Sequence, residues 1–302
     1  MGVTGRQYIH IILNPIAGAR HRGLLDAVVR LLRMQGARIE IEETQAPAHG
    51  TSLARRAALE QEPDVIVAAG GDGTINEVAR GLLGTQVPLG IIPLGTANVL
   101  AVELGLRPKA PAIADMIAHG PADLIGTGLV GGELFLLMVG IGFDGEVVHH
   151  INPRLKRWTG RGAFAWAGFK LWLKGPGRDI QMRVDGREER AAWVVVVNAR
   201  HFAGPYVLAP QAELARPGLY AVLFRRPGRW AFVRYLLALG LGRVDRLKDV
   251  DVMAVRQIDF LEPQGLAVEV DGDARGALPQ RVEQGVRYLR LVVPRARAFS
   301  ER

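Results

Sequence analysis

The sequence predicts two domains of different class: an N-terminal α/β domain with a doubly wound, mostly parallel sheet, and a C-terminal antiparallel β-sandwich domain. Strand-like and helix-like segments alternate up to about residue 120, which is typical of a parallel sheet covered on both faces. Short β-like runs separated by Asp-Gly and Gly-Gly turns then replace them. A length of 302 residues also favours two domains. We place the first at residues 1–123 and the second at 124–287, and the segment 288–302 could join either.

Periodicity predicts the elements of the first domain. Apolar runs that end at turn residues indicate buried strands, and Arg38 to Glu43 alternates as a half-buried strand does. Leu24, Val28, Leu31 and Leu32 recur at helical spacing before Gly36. The expected order is strand 8–13, helix 24–35, strand 38–43, helix 49–60, strand 64–69, helix 75–83 and strand 87–92, then short helices up to residue 119.

The second domain is predicted from short apolar runs and their turns. Asp185-Gly186, Gly131-Gly132 and Asp271-Gly272 favour hairpins. The expected strands are 123–130, 134–140, 180–184, 192–198, 218–224, 250–256 and 266–270, with helices near 162–174 and 229–241, and a last apolar run at 288–293.

The segment Gly70-Gly71-Asp72-Gly73-Thr74 directly follows the apolar strand 64–69. Glycines lack a Cβ, so we expect Gly70, Gly71 and Gly73 to take positive φ and turn their N–H groups towards an anion. The helix 75–83 would direct its positive end at the same place. Asp72 cannot attract an anion and suggests a neighbouring metal ion, sugar or hydroxyl. A simple strand-to-helix turn is the alternative.

Three further polar residues, Asn14, Thr44 and Thr96, also lie at or just beyond expected strand ends. Parallel sheets bind ligands beyond the carboxyl ends of their strands. The convergence therefore predicts a phosphate-binding site at this edge of the sheet.

Composition narrows the classes of partner. Lys and Arg number 38 against 30 Asp and Glu, a net charge of +8, which favours nucleotides, phospholipid surfaces or nucleic acid. Nucleic acid is not expected, because no RNA-binding aromatic signature or zinc-finger spacing occurs. The absence of cysteine excludes disulfides and thiolate catalysis and suits a cytoplasmic protein. No apolar stretch reaches bilayer-spanning length, so membrane contact is expected to be peripheral and transient.

Three blocks resemble the diacylglycerol kinase catalytic-domain family, most closely its bacterial YegS-like soluble lipid kinases: Asn14 to Gly18, Gly70 to Val78 and Pro93 to Asn98. Gly-Gly-Asp-Gly alone also resembles NAD kinases and phosphofructokinases, whereas Pro-x-Gly-Thr-x-Asn points to lipid kinases. Weaker matches lie at 140–144, 198–200 with Gly204, and 271–273.

The resemblance implies an enzyme of phospholipid metabolism that transfers the γ-phosphoryl group of ATP to a lipid hydroxyl, diacylglycerol-like, with ATP and Mg²⁺ as cofactors. The first domain would bind the nucleotide and the second the lipid. The implied nucleotide-binding residues are Asn14, Thr44, Gly70, Gly71, Asp72, Gly73, Thr74, Ile75, Asn76, Glu77 and Thr96. No resident metal site is assigned, although Asp72 and Glu77 could meet ATP-bound Mg²⁺. For Glu77 the alternative is a solvated helix residue paired with Arg80, and Asn98 more simply ties its own turn.

Asp271-Gly272-Asp273 matches a family Asp-Gly-Glu whose third residue is the proposed proton acceptor. The resemblance therefore implies Asp273 as the base, with Asp271 second, and a plain hairpin turn is the alternative. Aspartate at 273 shortens the reach by one methylene. A second departure lies in Ala212 to Leu219, where the family often supplies a structural Mg²⁺ ligand. No acid occupies the matching place here, which is next to Arg216, so we expect that accessory site to be absent or displaced.

Two other readings remain open. The chain could be an NAD kinase, or a catalytically weak regulator that binds nucleotide or phospholipid. Basic and aromatic residues mix in Arg154 to Lys174, which suits a membrane interface as well as an ordinary packed helix. The chain could also act as a homodimer.

Overall fold

The computed structural model describes residues 5–18, 21–142, 178–216, 218–278, 280–285 and 289–297. The helix expected near 162–174 and the membrane-interface segment 154–174 lie outside these residues. The chain divides into two compact units, Met1–Gly126 with Arg287–Arg302, and Thr127–Val286.

The first unit is an α/β domain around one six-stranded sheet. Its elements are β1 (Tyr8–Leu13), α1 (Pro15–Gly18), α2 (Arg22–Met34), β2 (Arg38–Glu43), α3 (His49–Glu60), β3 (Val65–Gly70), α4 (Asp72–Leu82), β4 (Leu89–Pro93), α5 (Val99–Glu103), α6 (Ala110–His119), β5 (Ala122–Ile125) and, from the end of the chain, β20 (Leu289–Val292). The strand order is β2-β1-β3-β4-β20-β5, and only β5 runs antiparallel to its neighbour.

Burial explains why these segments form the sheet. Every residue of β3 is buried, as expected of a central parallel strand covered on both faces. Helix α2 buries Leu25, Val28, Val29 and Leu32. Of the residues that helical spacing predicted, Val28 and Leu32 are buried, whereas Leu24 and Leu31 are half-buried. In the register, Leu13 pairs with Ala69 and Gly70 pairs with Pro93, so β1, β3 and β4 end at one edge.

The second unit is an antiparallel sandwich. Its elements are β6 (Gly128–Val130), β7 (Glu133–Phe135), β8 (Met138–Ile141), β9 (Ile180–Val184), β10 (Arg187–Ala191), β11 (Trp193–Val197), β12 (His201–Phe202), β13 (Tyr206–Val207), β14 (Leu219–Phe224), α7 (Arg229–Gly240), β15 (Val250–Val255), β16 (Gln257–Glu262), β17 (Ala267–Val270), β18 (Asp273–Ala277) and β19 (Arg281–Gln284). Two six-stranded sheets, β10-β9-β16-β19-β6-β7 and β15-β14-β11-β8-β17-β18, share one hydrophobic core. The predicted fold class is confirmed.

The three expected two-residue turns are present. Gly131-Gly132, Asp185-Gly186 and Asp271-Gly272 each have positive φ at both residues and join β6 to β7, β9 to β10 and β17 to β18. This is the conformation whose twist suits a tight hairpin.

Several expected bounds were wrong. The run 123–130 is two strands, because the chain passes between units after Gly126. The run 134–140 is also two strands, because the N–H groups of Leu136 and Leu137 donate to the Asp271 carboxylate. Helix 75–83 begins earlier, at Asp72. Strands β10, β16, β18 and β19 were not expected. Most of β10 is exposed and charged, and the other three mix polar with apolar residues and bury at most two residues each.

Candidate functional site

The sheet reverses its order of strand addition between β1 and β3. From β1 the chain builds β2 on one side, and it then returns to build β3 and β4 on the other. In open α/β sheets, ligands bind at such a switch point, beyond the carboxyl ends of the two strands. Asn14 follows β1 and Gly71 follows β3, so the first two motif blocks meet there.

Asn14 joins the two loops at this edge. Its Nδ2 donates to Thr74 Oγ1 at 3.1 Å, and its Oδ1 accepts the N–H groups of Ile16 at 3.1 Å and Ala17 at 3.3 Å. The backbone N–H of Thr44 donates to the carbonyl of Leu13 at 2.9 Å. Asn14, Thr44 and Thr74 therefore lie around the end of β1, as the sequence predicts.

The glycine turn differs from expectation. None of Gly70, Gly71 and Gly73 has a positive φ. Gly71 is extended, with φ −90°. Close packing is what requires glycine here. A Cβ on Gly70 would lie 2.5 Å from Thr74 Oγ1, and one on Gly95 would lie 2.6 Å from the Cα of Gly71. The backbone of the Gly70–Thr74 turn thus rests directly on that of the Pro93–Asn98 turn.

Asp72 faces the helix after the second turn. Its Oδ2 accepts the N–H of Val99 at 3.0 Å and its Oδ1 accepts that of Leu100 at 3.2 Å. The carboxylate therefore caps α5 from a distant part of the chain and complements the positive end of that helix. The sequence suggested a metal ion or hydroxyl beside Asp72; the structure shows a positioning contact for both oxygens.

The N-terminus of α4 remains a candidate anion site. Its N-cap, Gly71, supplies no side-chain cap, so the positive end of an 11-residue helix lies beside Asn14 and the second turn. Thr74, Ile75 and Asn76 are buried near the start of this helix. Thr96, in the Pro93–Asn98 turn, is exposed.

Glu77 caps a neighbouring helix. Its Oε1 accepts the N–H of Ala48 at 2.8 Å and its Oε2 accepts that of Gly50 at 3.1 Å, at the start of α3. These contacts differ from the alternative interpretation, a solvated helix residue paired with Arg80. Sequence offered no signal for them, since the partners lie 29 and 27 residues away. The role of Glu77 at ATP-bound Mg²⁺ stays a prediction.

Asn98 holds its own turn. Its Oδ1 accepts the N–H of Gly95 and its Nδ2 donates to the carbonyl of Gly95, both at 2.9 Å. The simpler of the two interpretations of Asn98 is confirmed.

In the second unit, the carboxylate of Asp271 is buried and accepts three backbone N–H groups. Oδ2 binds the N–H of Leu136 at 2.8 Å, and Oδ1 binds those of Leu137 at 2.8 Å and Met138 at 2.9 Å. Such charge-assisted bonds are the strong ones in proteins. Asp271 therefore fixes the β17–β18 hairpin to the start of β8.

Asp273 begins β18 immediately after this hairpin and is half-buried. Sequence analysis missed a third acid, Glu269, which is buried on β17 and accepts the N–H of Gly272. The sequence feature that could have identified Glu269 is its position between Val268 and Val270, as one carboxylate in an otherwise apolar strand. Asn198 adds to this region, because its Nδ2 donates to the carbonyl of Leu136 at 2.8 Å.

In the segment Ala212 to Arg216, where we expected no accessory metal site, Glu213 is paired with arginines. Its Oε2 lies 3.2 Å from Arg216 Nε, and its Oε1 lies 3.8 Å from Arg200 Nη2. Across the described ranges, no three His, Asp or Glu residues lie close enough together to hold a metal ion. In the same residues, no helix has the length and apolar character that crossing a bilayer requires.

Each of the two units matches a known protein domain family. Residues 8–130 match the diacylglycerol kinase catalytic domain, and residues 137–296 match the YegS C-terminal NAD kinase beta sandwich-like domain. A diacylglycerol kinase of Bacillus subtilis is 27% identical over 296 residues, covering 95% of this chain and 97% of the relative. One from Mycobacterium tuberculosis is 27% identical, covering 94% of each.

Solved structures share the fold. The crystal structure of a proposed diacylglycerol kinase from Bacillus anthracis superimposes with a TM-score of 0.82 at 22% identity, covering 99% of this chain and 98% of the other. Another from the same organism gives a TM-score of 0.73 at 19% identity, covering 98% and 100%.

Proposed function

Because the chain belongs to the diacylglycerol kinase catalytic-domain family, a family of kinases, we propose that it transfers the γ-phosphoryl group of ATP to the hydroxyl of a diacylglycerol-like lipid. The observation that carries this proposal is the Gly71–Gly95 contact, which joins the motif turns after β3 and β4, next to the β1–β3 switch point. Phosphoryl transfer depends mainly on such positioning and on charge neutralisation.

The phosphates of ATP would lie against the first turn of α4. Its N–H groups and helix dipole favour negative charge, and Asn14, Thr44 and Thr96 offer polar side chains beside it. Asp72 and Glu77 act mainly by holding α5 and α3 in place. Mg²⁺, when bound with ATP, would supply positive charge to the phosphates. Asp72, the carboxylate in the first turn of α4, is the residue that would hold it.

Asp273 is the best candidate for the proton acceptor. The Asp271 carboxylate accepts three backbone N–H groups, and its burial suits an anchor. Asp273 is less buried and stands at the start of the strand that the anchored hairpin presents. A base must reach the hydroxyl whose proton it takes. We therefore assign Asp273 as the base and Asp271 as a positioning residue, with the second unit as the lipid-binding one. The protein would act in the cytoplasm, with transient contact at the membrane surface.

The test measures ADP release by the purified protein with ATP and Mg²⁺. Acceptors are diacylglycerol in mixed micelles, NAD, or none. We expect diacylglycerol-dependent release in the wild type and in Asp26→Asn, an exposed matched control on α2, and at least about 100-fold slower release in Asp273→Asn.

Each other outcome contradicts part of the proposal. NAD-dependent release would identify an NAD kinase. ATP binding without release on any lipid would identify a nucleotide-binding regulator. Full lipid-dependent activity in Asp273→Asn would remove that residue from the mechanism.

A further inference from the structure

Helix α7 is apolar on two opposite sides. Its inner side buries Phe232, Tyr235, Ala238 and Leu239. There Trp193 stacks on Phe224 with ring centroids 4.1 Å apart, and Phe224 lies 4.8 Å from Tyr235. These contacts fix α7 against the outer surface of the sheet that contains β11 and β14.

Polar contacts fix the rotation of the helix as well. Tyr235 Oη donates to Asp249 Oδ2 at 2.7 Å and accepts the N–H of Arg226 at 3.1 Å. Burial, together with the bond to Asp249, raises the pKa of Tyr235 to about 12. Arg234 also pairs with Asp249. The opposite side of α7 is therefore held outward.

That outward side carries a stripe of large apolar residues. Trp230, Leu237 and Leu241 are 80%, 63% and 70% exposed. At 100° per residue, spacings of seven and four place them on one line, about 16 Å long. Leu236 is also exposed, about 120° around the helix from the line of the stripe. An exposed apolar stripe on a helix that is already packed on its other side indicates an interaction surface.

The charge around the stripe is mainly positive. From Arg225 to Asp249 the chain carries seven Arg or Lys residues and two acids, Asp245 and Asp249. Arg243, Arg246 and Lys248 follow the stripe directly and are exposed, and no ion pair engages their side chains in the part of the chain that the structure describes. Interfaces between proteins are enriched in arginine and depleted in lysine, whereas anionic bilayers attract clusters of both cations.

We propose that the outward face of α7 docks on an anionic phospholipid bilayer. Trp230, Leu237 and Leu241 enter the boundary between headgroups and acyl chains, and Arg243, Arg246 and Lys248 contact headgroup phosphates. Trp230 lies at one end of the stripe, and tryptophan is enriched at the headgroup level of membranes. The biological purpose rests on the proposed function, since a lipid kinase must reach a substrate that lies in a membrane.

The experiment measures sedimentation with vesicles of phosphatidylcholine alone or mixed with phosphatidylglycerol, without ATP. We expect binding only to the mixed vesicles, and weaker binding at high salt. Leu237→Gln should bind the mixed vesicles at least about tenfold more weakly than the wild type does. Leu59→Gln is the matched control, because Leu59 is 60% exposed on α3. Arg243→Glu with Lys248→Glu should also weaken binding, and Arg33→Glu on α2 should not.

The outcomes separate this proposal from the kinase assignment. Asp273→Asn should bind vesicles as the wild type does, so lost catalysis and lost docking are distinguishable. Unchanged vesicle binding by Leu237→Gln, with a wild-type urea midpoint, would overturn the proposal. A dimer that Leu237→Gln converts to a monomer, with vesicle binding unaffected, would show instead that the stripe binds a second copy of the chain.

Discussion

Asp72 Oδ2 accepts the backbone N–H of Val99 at 3.0 Å, across 27 positions of sequence. This bond ties the first residue of α4 to the first residue of α5. The two helices begin where the two glycine-containing turns end, so one carboxylate holds both turns in register. The site is thus arranged by a side chain whose type would ordinarily suggest metal binding.

Asp72→Asn tests this role. The amide keeps one acceptor but loses the charge and directs an N–H group at a backbone donor. We expect the free energy of unfolding in urea to fall by about 1–3 kcal/mol, together with kinase activity. Asp26→Asn on the exposed side of α2 is the control and should change neither. Wild-type stability in Asp72→Asn would show that the capping contact contributes nothing.

Gly95→Ala tests the contact between the two turns. The new methyl group would lie 2.6 Å from the Cα of Gly71 and 2.7 Å from Asn98 Oδ1, so the turns must separate. We expect a loss of about 1–3 kcal/mol in stability and weaker ATP binding by calorimetry. Gly23→Ala, in α2 with open space around it, should instead gain about 0.5–1 kcal/mol. Equal effects of the two substitutions would refute the close-packing explanation.

Substitution of Asp271 should lower stability, whereas substitution of Asp273 should remove activity and leave stability unchanged. Asp271→Asn leaves one of three buried N–H groups without its charged acceptor, so we expect a loss of about 3 kcal/mol or more. Asp273→Asn should unfold in urea as the wild type does while lacking activity. A stable but inactive Asp271→Asn would exchange the two assignments.

His10 should make stability depend on pH. Its imidazole is buried on β1, with Nε2 3.5 Å from Glu42 and Nδ1 3.8 Å from Glu40. Burial lowers the pKa of His10, and the two glutamates only partly offset it. The unfolded chain binds a proton below about pH 6.5 that the folded chain resists, so this contribution to stability is present above that pH and is lost as pH falls.

Urea unfolding between pH 7.5 and 5 measures this effect. We expect stability to decline with falling pH in the wild type and to decline less in His10→Gln. The measurements stay above pH 5 because most carboxyl groups titrate below that pH, so their protonation contributes little to the slope. Identical slopes in the two proteins would contradict the assignment.

Local patterns predicted much of the first unit. Strand β2 and helix α3 have the expected bounds, because a half-buried strand alternates and a packed helix repeats its apolar residues at helical spacing. The start of α4 was missed because two glycines near it have low helix propensity, which packing against the second turn overcomes.

Long-range contacts account for what the sequence could not predict. Glu77 and Asp72 cap helices that lie far along the chain, and no local pattern carries that information. Strand β10 forms because it pairs along its length with β9, although most of its residues are exposed and charged. The candidate site residues were predicted from motifs. Their proposed division into positioning and reacting groups rests on the hydrogen bonds.

Hydrogen–deuterium exchange with and without ATP and Mg²⁺ tests the central claim most directly. If the first turn of α4 and the turn that contacts it hold the phosphates, peptides covering 70–76 and 95–98 become protected when ATP binds, while those from α2 do not change. Protection confined to other segments, or none at saturating ATP, would contradict the account.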